Sequence, residues 1–299
     1  MNNIHFEKPP FFYGKPPFIQ IIFLLLFTVG GAFIFSALGQ LLSTWIWGEE
    51  LYTMPVGYLR LVSILSAIGT FLVPALLFSY CSDNRWLSFS KADHLPGGKM
   101  AIGVIILSIV IIPIVGFLAY YNELIRLPEI FSNLEAWMKA MEESAAGTLE
   151  ILTADRTIPG LLISLVVMAL LPAIAEEFFF RGTIQPLLQK WIKNSHAAIW
   201  ITAFIFSAIH LQFYGFIPRF LLGAYLGYLF VWSGSIWLPA LAHFMHNAIS
   251  VTGDYILTRN NIEMEDITPM DIPGYFLVVI ICIFIFIPGI YYLHKNAKN

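Results

Sequence analysis

One apolar stretch, residues 170–182, contains three charged side chains within six consecutive positions: Glu176, Glu177 and Arg181. A charged side chain at the centre of a bilayer costs about 2.5–3.5 kcal/mol on insertion scales, so such groups are expected to have partners or a task. Glu177 and Arg181 are one helical turn apart and suit a buried ion pair that fixes helix packing. Glu176 is rotated by about 100° around the helix and has no such partner nearby in the sequence. Glu176 is therefore the better candidate for a reacting group.

Four more polar side chains fall in apolar segments further along the chain: His210, His243, His246 and Asn247. A single histidine at the end of a span is more often an interface residue than a catalyst. His243 and Asn247 share a helix face, whereas His246 is rotated by about 60° from His243 and faces either the same cavity or the lipid. The set as a whole, with a lone carboxylate, histidines and an amide on three helices, points to a site for hydrolysis.

Two hydrolytic mechanisms suit these residues. In the first, Glu176 and His210 activate a water molecule, while His243 and Asn247 donate hydrogen bonds to the oxyanion, worth about 3–4 kcal/mol per donor. In the second, Glu176, His210 and His243 bind Zn²⁺, which lowers the pKa of its bound water to about 7. The sequence contains no HExxH motif. Asn247 is a poor zinc ligand but pairs well with His243 as an oxyanion donor, so we favour a mechanism without a cofactor.

The composition sets the protein class in which these residues must work. Hydrophobic residues make up 58% of the chain and charged residues 12%, against about 45–50% and 25% in soluble domains, and the mean hydropathy is +0.76. We therefore expect an all-α, polytopic integral membrane protein whose surroundings are the lipid bilayer. The net charge of −3 and the lack of a basic stripe argue against nucleic acid as a partner.

Hydropathy predicts about eight transmembrane helices, and the chain divides into five segments. The predicted spans are residues 18–47, 58–81, 100–121, a span that starts near 159, 195–212, 216–232, 235–257 and 272–293. The segments are an N-terminal lead (1–17), three spans (18–121), an interfacial amphipathic segment (122–158), a four-span catalytic core (159–257), and a loop with the last span (258–299). Apolar residues recur at helical spacing in the acidic segment 122–158, which predicts a helix on the membrane surface or over the end of the bundle.

Loop charges and helix lengths give expectations for orientation and depth. With Arg181 left out, the side shared by the two termini carries nine Lys and Arg residues against six on the other, which favours cytoplasmic termini. Glu176 and His210 are both 17 residues from Lys193, so they meet at one level of a helical hairpin if the fourth helix reaches that lysine. The alternative is that Pro186 ends this helix early.

Three motifs in this chain resemble those of the CPBP intramembrane proteases, the CAAX-processing and bacteriocin-processing group. They occur in family order as Glu176-Glu177-x-x-x-Arg181, Phe206-x-x-x-His210 and His243-x-x-x-Asn247. The resemblance covers about residues 159–252. It implies that Glu176 is the catalytic glutamate with His210 beside it, and that His243 and Asn247 form the oxyanion site. Glu177, Arg181 and Phe206 would support these groups. His246 has no assigned role in the family pattern and is a secondary candidate.

The resemblance implies an intramembrane endopeptidase that cleaves a peptide or protein substrate. The family has been described both as metalloproteases and as glutamate-dependent enzymes, so Zn²⁺ stays open at this point. No feature of the sequence distinguishes a prenylated C-terminal peptide from a leader peptide. The alternative is a non-proteolytic membrane protein for bacteriocin self-immunity or small-solute transport. We favour the enzyme, because a binding cavity does not need an unpaired carboxylate together with an amide and histidines.

Overall fold

The computed structural model describes residues 9–48, 55–260 and 269–296, and the regular elements of these ranges are all helical. Nine of the described helices have 14 residues or more. They are α1 (Pro17–Trp47), α2 (Val56–Ser82), α3 (Gly98–Glu123), α4 (Ser132–Thr153), α5 (Ile158–Ile192), α6 (Ser195–Ala208), α7 (Phe216–Ser233), α8 (Trp237–Arg259) and α9 (Tyr275–Asn296). The predicted all-α fold class is confirmed.

Six helices of the described ranges are long and apolar enough to cross a membrane, namely α1, α2, α3, α5, α7 and α9. Helices α6 and α8, which correspond to the other two predicted spans, are not among these six. Helix α6 is apolar but has only 14 residues, and α8 carries His243, His246 and Asn247. The chain is thus a polytopic membrane protein, for which eight spans is an approximate count.

Two sequence expectations about helix ends are corrected. Helix α5 continues through Pro186 to Ile192, so the early end considered for it is wrong. Helix α6 ends at Ala208, four residues before the predicted end of the fifth span, and His210 lies in the following turn. Leu211 has a φ of 56°, a left-handed conformation that cannot continue a right-handed helix.

Wide π-helical turns explain how α2 and α5 continue through internal prolines. The turns Ile68–Leu72, Leu165–Leu170 and Phe180–Ile184 each end two residues before a proline, at Pro74, Pro172 and Pro186 respectively. A proline has no N–H to donate and its ring crowds the carbonyl of the preceding turn. The wider turn relieves this crowding. The last turn contains Arg181, so the feature that carries α5 past Pro186 also positions a site residue.

Helix α5 is tied to α7 by two side-chain hydrogen bonds to backbone carbonyls. Arg181 Nη2 donates to Gly223 O at 2.9 Å, and one turn later Gln185 Nε2 donates to Gly227 O at 3.1 Å. The glycines also let α6 approach α7, since a Cβ built on Gly223 would lie 3.2 Å from Ala203 Cα. Small residues therefore bring α5, α6 and α7 together beside the charged stretch.

We expect Gly227→Ala to lower the free energy of unfolding by about 1–3 kcal/mol, the usual cost of overpacking. A Cβ at this position would lie 2.8 Å from Gln185 Oε1 and 2.9 Å from Ile199 Cγ2. The matched control is Gly253→Ala in α8, where a Cβ meets no atom within 4 Å. Unfolding in detergent would measure both, and equal stability losses in the two variants would contradict the packing role.

Parts of the predicted N-terminal lead (1–17) and of the C-terminal segment (258–299) lie outside the described residues. In the described part of the lead, Phe12 is buried against Phe78 with ring centroids 4.9 Å apart. Its backbone N–H donates to Cys81 O at 2.9 Å. In the last segment, the Tyr275 hydroxyl donates to Pro113 O at 2.8 Å, which joins α9 to α3. These contacts close the bundle away from the candidate site.

Candidate active site

The ion pair between Glu177 and Arg181 lies at the centre of the site. Both side chains are fully buried, and Arg181 Nη1 is 2.5 Å from Glu177 Oε1. The guanidinium carbon also lies 4.8 Å from the ring centroid of Phe206 on α6. With the bond to Gly223 O described above, Arg181 contacts three helices. The predicted pairing of these two residues is therefore present in the structure, and it joins α5, α6 and α7.

Glu177 also binds His243 on α8, a contact that sequence spacing did not predict. His243 Nδ1 is 2.9 Å from the same oxygen, Glu177 Oε1, that binds Arg181. A carboxylate oxygen accepts this bond, so Nδ1 carries the hydrogen and Nε2 faces the other way. His243 Nε2 lies 3.9 Å from Glu176 Oε2. Glu176, expected to lack a partner, thus has an imidazole nearby but beyond hydrogen-bond distance.

His210 and Phe206 lie on the α6 side of the site. His210 Nδ1 is 2.7 Å from Phe206 O, and a carbonyl can only accept, so Nδ1 is the donor. The neutral imidazole then presents an unprotonated Nε2. The Phe206 ring makes edge contacts with both histidines, with centroids 5.2 Å from His210 and 5.8 Å from His243. Phe206 therefore packs between Arg181 and the two imidazoles.

One cavity of about 620 Å³ collects the candidate residues from three parts of the chain. Its lining includes Glu176 of α5, the turn residue His210, and His243, His246 and Asn247 of α8. Of the two orientations considered for His246, the structure shows the one that faces the cavity. His246 Nδ1 and Glu176 Oε2 are buried without a hydrogen-bond partner among the described residues. Unpaired polar atoms of this kind are available to a ligand or to water.

Two charged residues of the cavity lining were not among the predicted site residues: Arg219 on α7 and Glu142 on α4. Arg219 Nη2 donates to Gln212 Oε1 at 2.7 Å. Burial raises the pKa of the Glu142 carboxyl, and the nearby positive charge of Arg219 partly offsets this shift. A sequence signal existed for Glu142, which interrupts the apolar face of the predicted amphipathic helix. The sequence around Arg219 does not distinguish it from any other charged residue near the end of a span.

One oxygen of Glu176 and one nitrogen of His243 are available to bind water or a substrate. A separation of 3.9 Å between Glu176 Oε2 and His243 Nε2 is too long for a direct hydrogen bond, so these two atoms do not bind each other. Among the described residues, no three His, Cys, Asp or Glu side chains are grouped as ligands for one metal ion. Glu176, His210 and His243, the alternative ligand set, all line the same cavity, and zinc binding by them stays a prediction.

Comparison with known proteins matches this same part of the chain. Residues 158–249 match the family described as "Type II CAAX prenyl endopeptidase Rce1-like". A Bacillus subtilis (strain 168) protein, "Uncharacterized protein YpbD", is 30% identical over 100 residues, which cover 32% of this chain and 46% of the relative. The matched segment thus spans less than half of that relative's length, and no solved structure matches the chain.

The matched segment begins with α5 and ends within α8, so it contains the buried Glu177 contacts and the three motifs. It also contains the six predicted site residues that line the cavity, Phe206 among them. Residues outside it, such as Glu142, complete the cavity wall. The order of the motifs and the matched range agree: residues 158–249, which hold all three motifs, are similar to the Type II CAAX prenyl endopeptidase Rce1-like family.

Proposed function

We propose that this protein is an intramembrane endopeptidase that hydrolyses a peptide bond with water activated at Glu176. The observation that carries the proposal is the single cavity onto which Glu176, His210, His243 and Asn247 open. The match of residues 158–249 to a CAAX-type endopeptidase family supports the same class of reaction. A cavity of about 620 Å³ is within the roughly 300–1,000 Å³ range of sites for small ligands, and suits a short peptide segment.

In the proposed mechanism, Glu176 is the general base. It takes one proton from the water, and the unprotonated Nε2 of His210 accepts the other hydrogen of that water as a hydrogen bond. The water oxygen attacks the carbonyl carbon and forms a tetrahedral oxyanion. Asn247 and His243 donate hydrogen bonds to this oxyanion. Glu176 then returns its proton to the leaving amine, which breaks the carbon–nitrogen bond.

The contact with Glu177 determines which ring nitrogen of His243 can donate a hydrogen bond to the oxyanion. Since Nδ1–H is held by Glu177 Oε1, donation from Nε2 requires the doubly protonated imidazolium. Glu176 and Glu177 place a carboxylate oxygen near each ring nitrogen, 3.9 Å from Nε2 and 2.9 Å from Nδ1. Glu177 is therefore a positioning residue in this proposal, because it acts on the substrate only through His243.

The test is a cleavage assay with the purified full-length protein in proteoliposomes. Peptides are supplied in pairs that differ only in a prenyl group on a cysteine near the C terminus, and new N-termini are identified by mass spectrometry. Cleavage that is lost in the Glu176→Gln variant supports the proposed reaction. Faster cleavage of the prenylated member identifies a lipidated substrate. Failure to cleave any peptide of a diverse library would contradict the assignment as a protease.

We expect activity to persist after metal removal, with no stoichiometric zinc in the active protein. The reason is that Asn247 and His243 act together as hydrogen-bond donors, which leaves His243 Nε2 unavailable as a ligand. Activity and elemental content are measured together before and after chelation. Loss of activity on stripping, with recovery on addition of Zn²⁺, would overturn this mechanism and make His210 and His243 ligands.

A further inference from the structure

Helix α4 supplies one wall of the catalytic cavity although it lies outside the predicted spans and outside the matched family segment. Four of its residues line the cavity: Glu142, Ala145, Ala146 and Leu149. We call these four residues the α4 wall. Their spacing of three, one and three positions puts them on one face of the helix. Because α4 faces the same cavity as Glu176, its side chains would limit what can lie beside the reacting groups.

The α4 wall is anchored at both ends. Met138, one turn before it, and Leu152, just after it, are 7% and 6% exposed, so both are packed against the bundle. Leu152 O accepts a hydrogen bond from Ser164 Oγ of α5 at 3.1 Å and one from Arg60 Nη2 of α2 at 3.4 Å. Helix α4 is thus held at its ends, and the middle of the same face lies against open space.

The cavity lining combines apolar and charged side chains. Leu149, Met168 and Pro172 are apolar, whereas Glu142 and Glu176 carry carboxyl groups. The hydrogen bond from Ser164 to Leu152 O holds the end of α4 against the first turns of α5.

The two alanines lie between Glu142 and Leu149 in the α4 wall, and they line the same cavity as Glu176. Alanine is the smallest side chain that keeps a helix stable, and it leaves space for a large neighbour.

On the basis of the proposed function, we propose that Ala145 and Ala146 form a specificity subsite for a large apolar side chain of the substrate. The subsite takes the side chain of a residue near the bond that is cleaved. Its other surfaces are the apolar side chains of Leu149, Met168 and Pro172. Burial of a large apolar side chain here is favourable because it removes apolar surface of both partners from water.

The test enlarges the wall and measures the size preference of the enzyme. Ala145→Leu and Ala146→Leu are assayed on peptides in which each position within three residues of the scissile bond is alanine, valine, leucine, phenylalanine or tryptophan. We expect the ratio of kcat/KM for the tryptophan peptide to kcat/KM for the alanine peptide to fall about tenfold or more in these variants, at one of the substituted positions. A difference of a few methylene groups gives discrimination of that size. The matched control is Ala140→Leu on the exposed part of the same helix, which should keep the parent ratio.

Binding of the same peptides to the Glu176→Gln variant, with and without Ala145→Leu or Ala146→Leu, separates this inference from the proposed function. Size-dependent weakening of binding without any cleavage by the parent would support the subsite and contradict the protease. Cleavage by the parent with unchanged size ratios, or an equal loss for all peptides, would contradict the subsite alone. If a lipid tail occupies the space instead, kcat/KM falls only for the prenylated member of each pair, and the peptide subsite is overturned.

Discussion

Glu176→Gln is expected to reduce the rate of peptide cleavage by about 10²–10⁴-fold, the range associated with a general base. The amide has nearly the same size and shape as the carboxylate but cannot take a proton from water. The variant should insert and unfold like the parent, because Glu176 Oε2 makes no hydrogen bond to any described residue. Single-turnover cleavage and unfolding in detergent measure the two effects separately.

Glu143→Gln is the matched control for this substitution. Glu143 is exposed on α4, one position beyond the cavity-lining Glu142, so the same chemical change should leave the cleavage rate unchanged. Near-normal turnover by Glu176→Gln would show that another group activates the water. Comparable losses of turnover in the two variants would point to a general effect of charge and would remove the basis for the assignment.

The long apolar helices were predictable from the sequence because a bilayer permits few alternatives. Backbone polar groups have no water to bind in the hydrocarbon region, so an apolar run of about 20 residues forms a helix. Helix α1, predicted at 18–47, runs from Pro17 to Trp47, and α7, predicted at 216–232, runs from Phe216 to Ser233. Helix α6 was overestimated because Ile209 and Leu211 follow its apolar residues in the sequence, while the Leu211 backbone turns away from the helix.

The motif spacing predicted which side chains share a helix face but not what they contact on other helices. Glu177 and Arg181 are four positions apart, and their pairing follows from helical geometry. Glu177 and His243 are 66 positions apart, so no local pattern could show that they bind each other. Arg219 and Glu142 were missed for the same reason. Their presence in the cavity depends on how α4 and α7 pack around α5.

Loss of Glu177 is expected to affect stability more than loss of Glu176. Glu177→Ala leaves Arg181 buried without its carboxylate, and removal of one partner of a buried ion pair costs about 3–5 kcal/mol. The same change removes the hydrogen-bond acceptor of His243 Nδ1. We therefore expect a lower yield of folded protein and a lower unfolding midpoint. If Glu177→Ala is as stable as the parent while Glu176→Ala is not, the two glutamates have the opposite roles.

Glu177→Gln separates the positioning of His243 from the stability effect. The amide oxygen can still accept from Arg181 or from His243 Nδ1, but a neutral acceptor binds less strongly than a carboxylate and holds the imidazole less firmly. We expect kcat to fall by about 10²-fold, comparable to the effect of a small misplacement of a catalytic group, while KM stays close to that of the parent. A purely structural role predicts instead that activity per folded molecule is unchanged. Full kcat in the folded fraction of Glu177→Gln would show that His243 does not depend on Glu177 for its function, whereas a loss of kcat alone would make the contact between Glu177 Oε1 and His243 Nδ1 part of the catalytic arrangement.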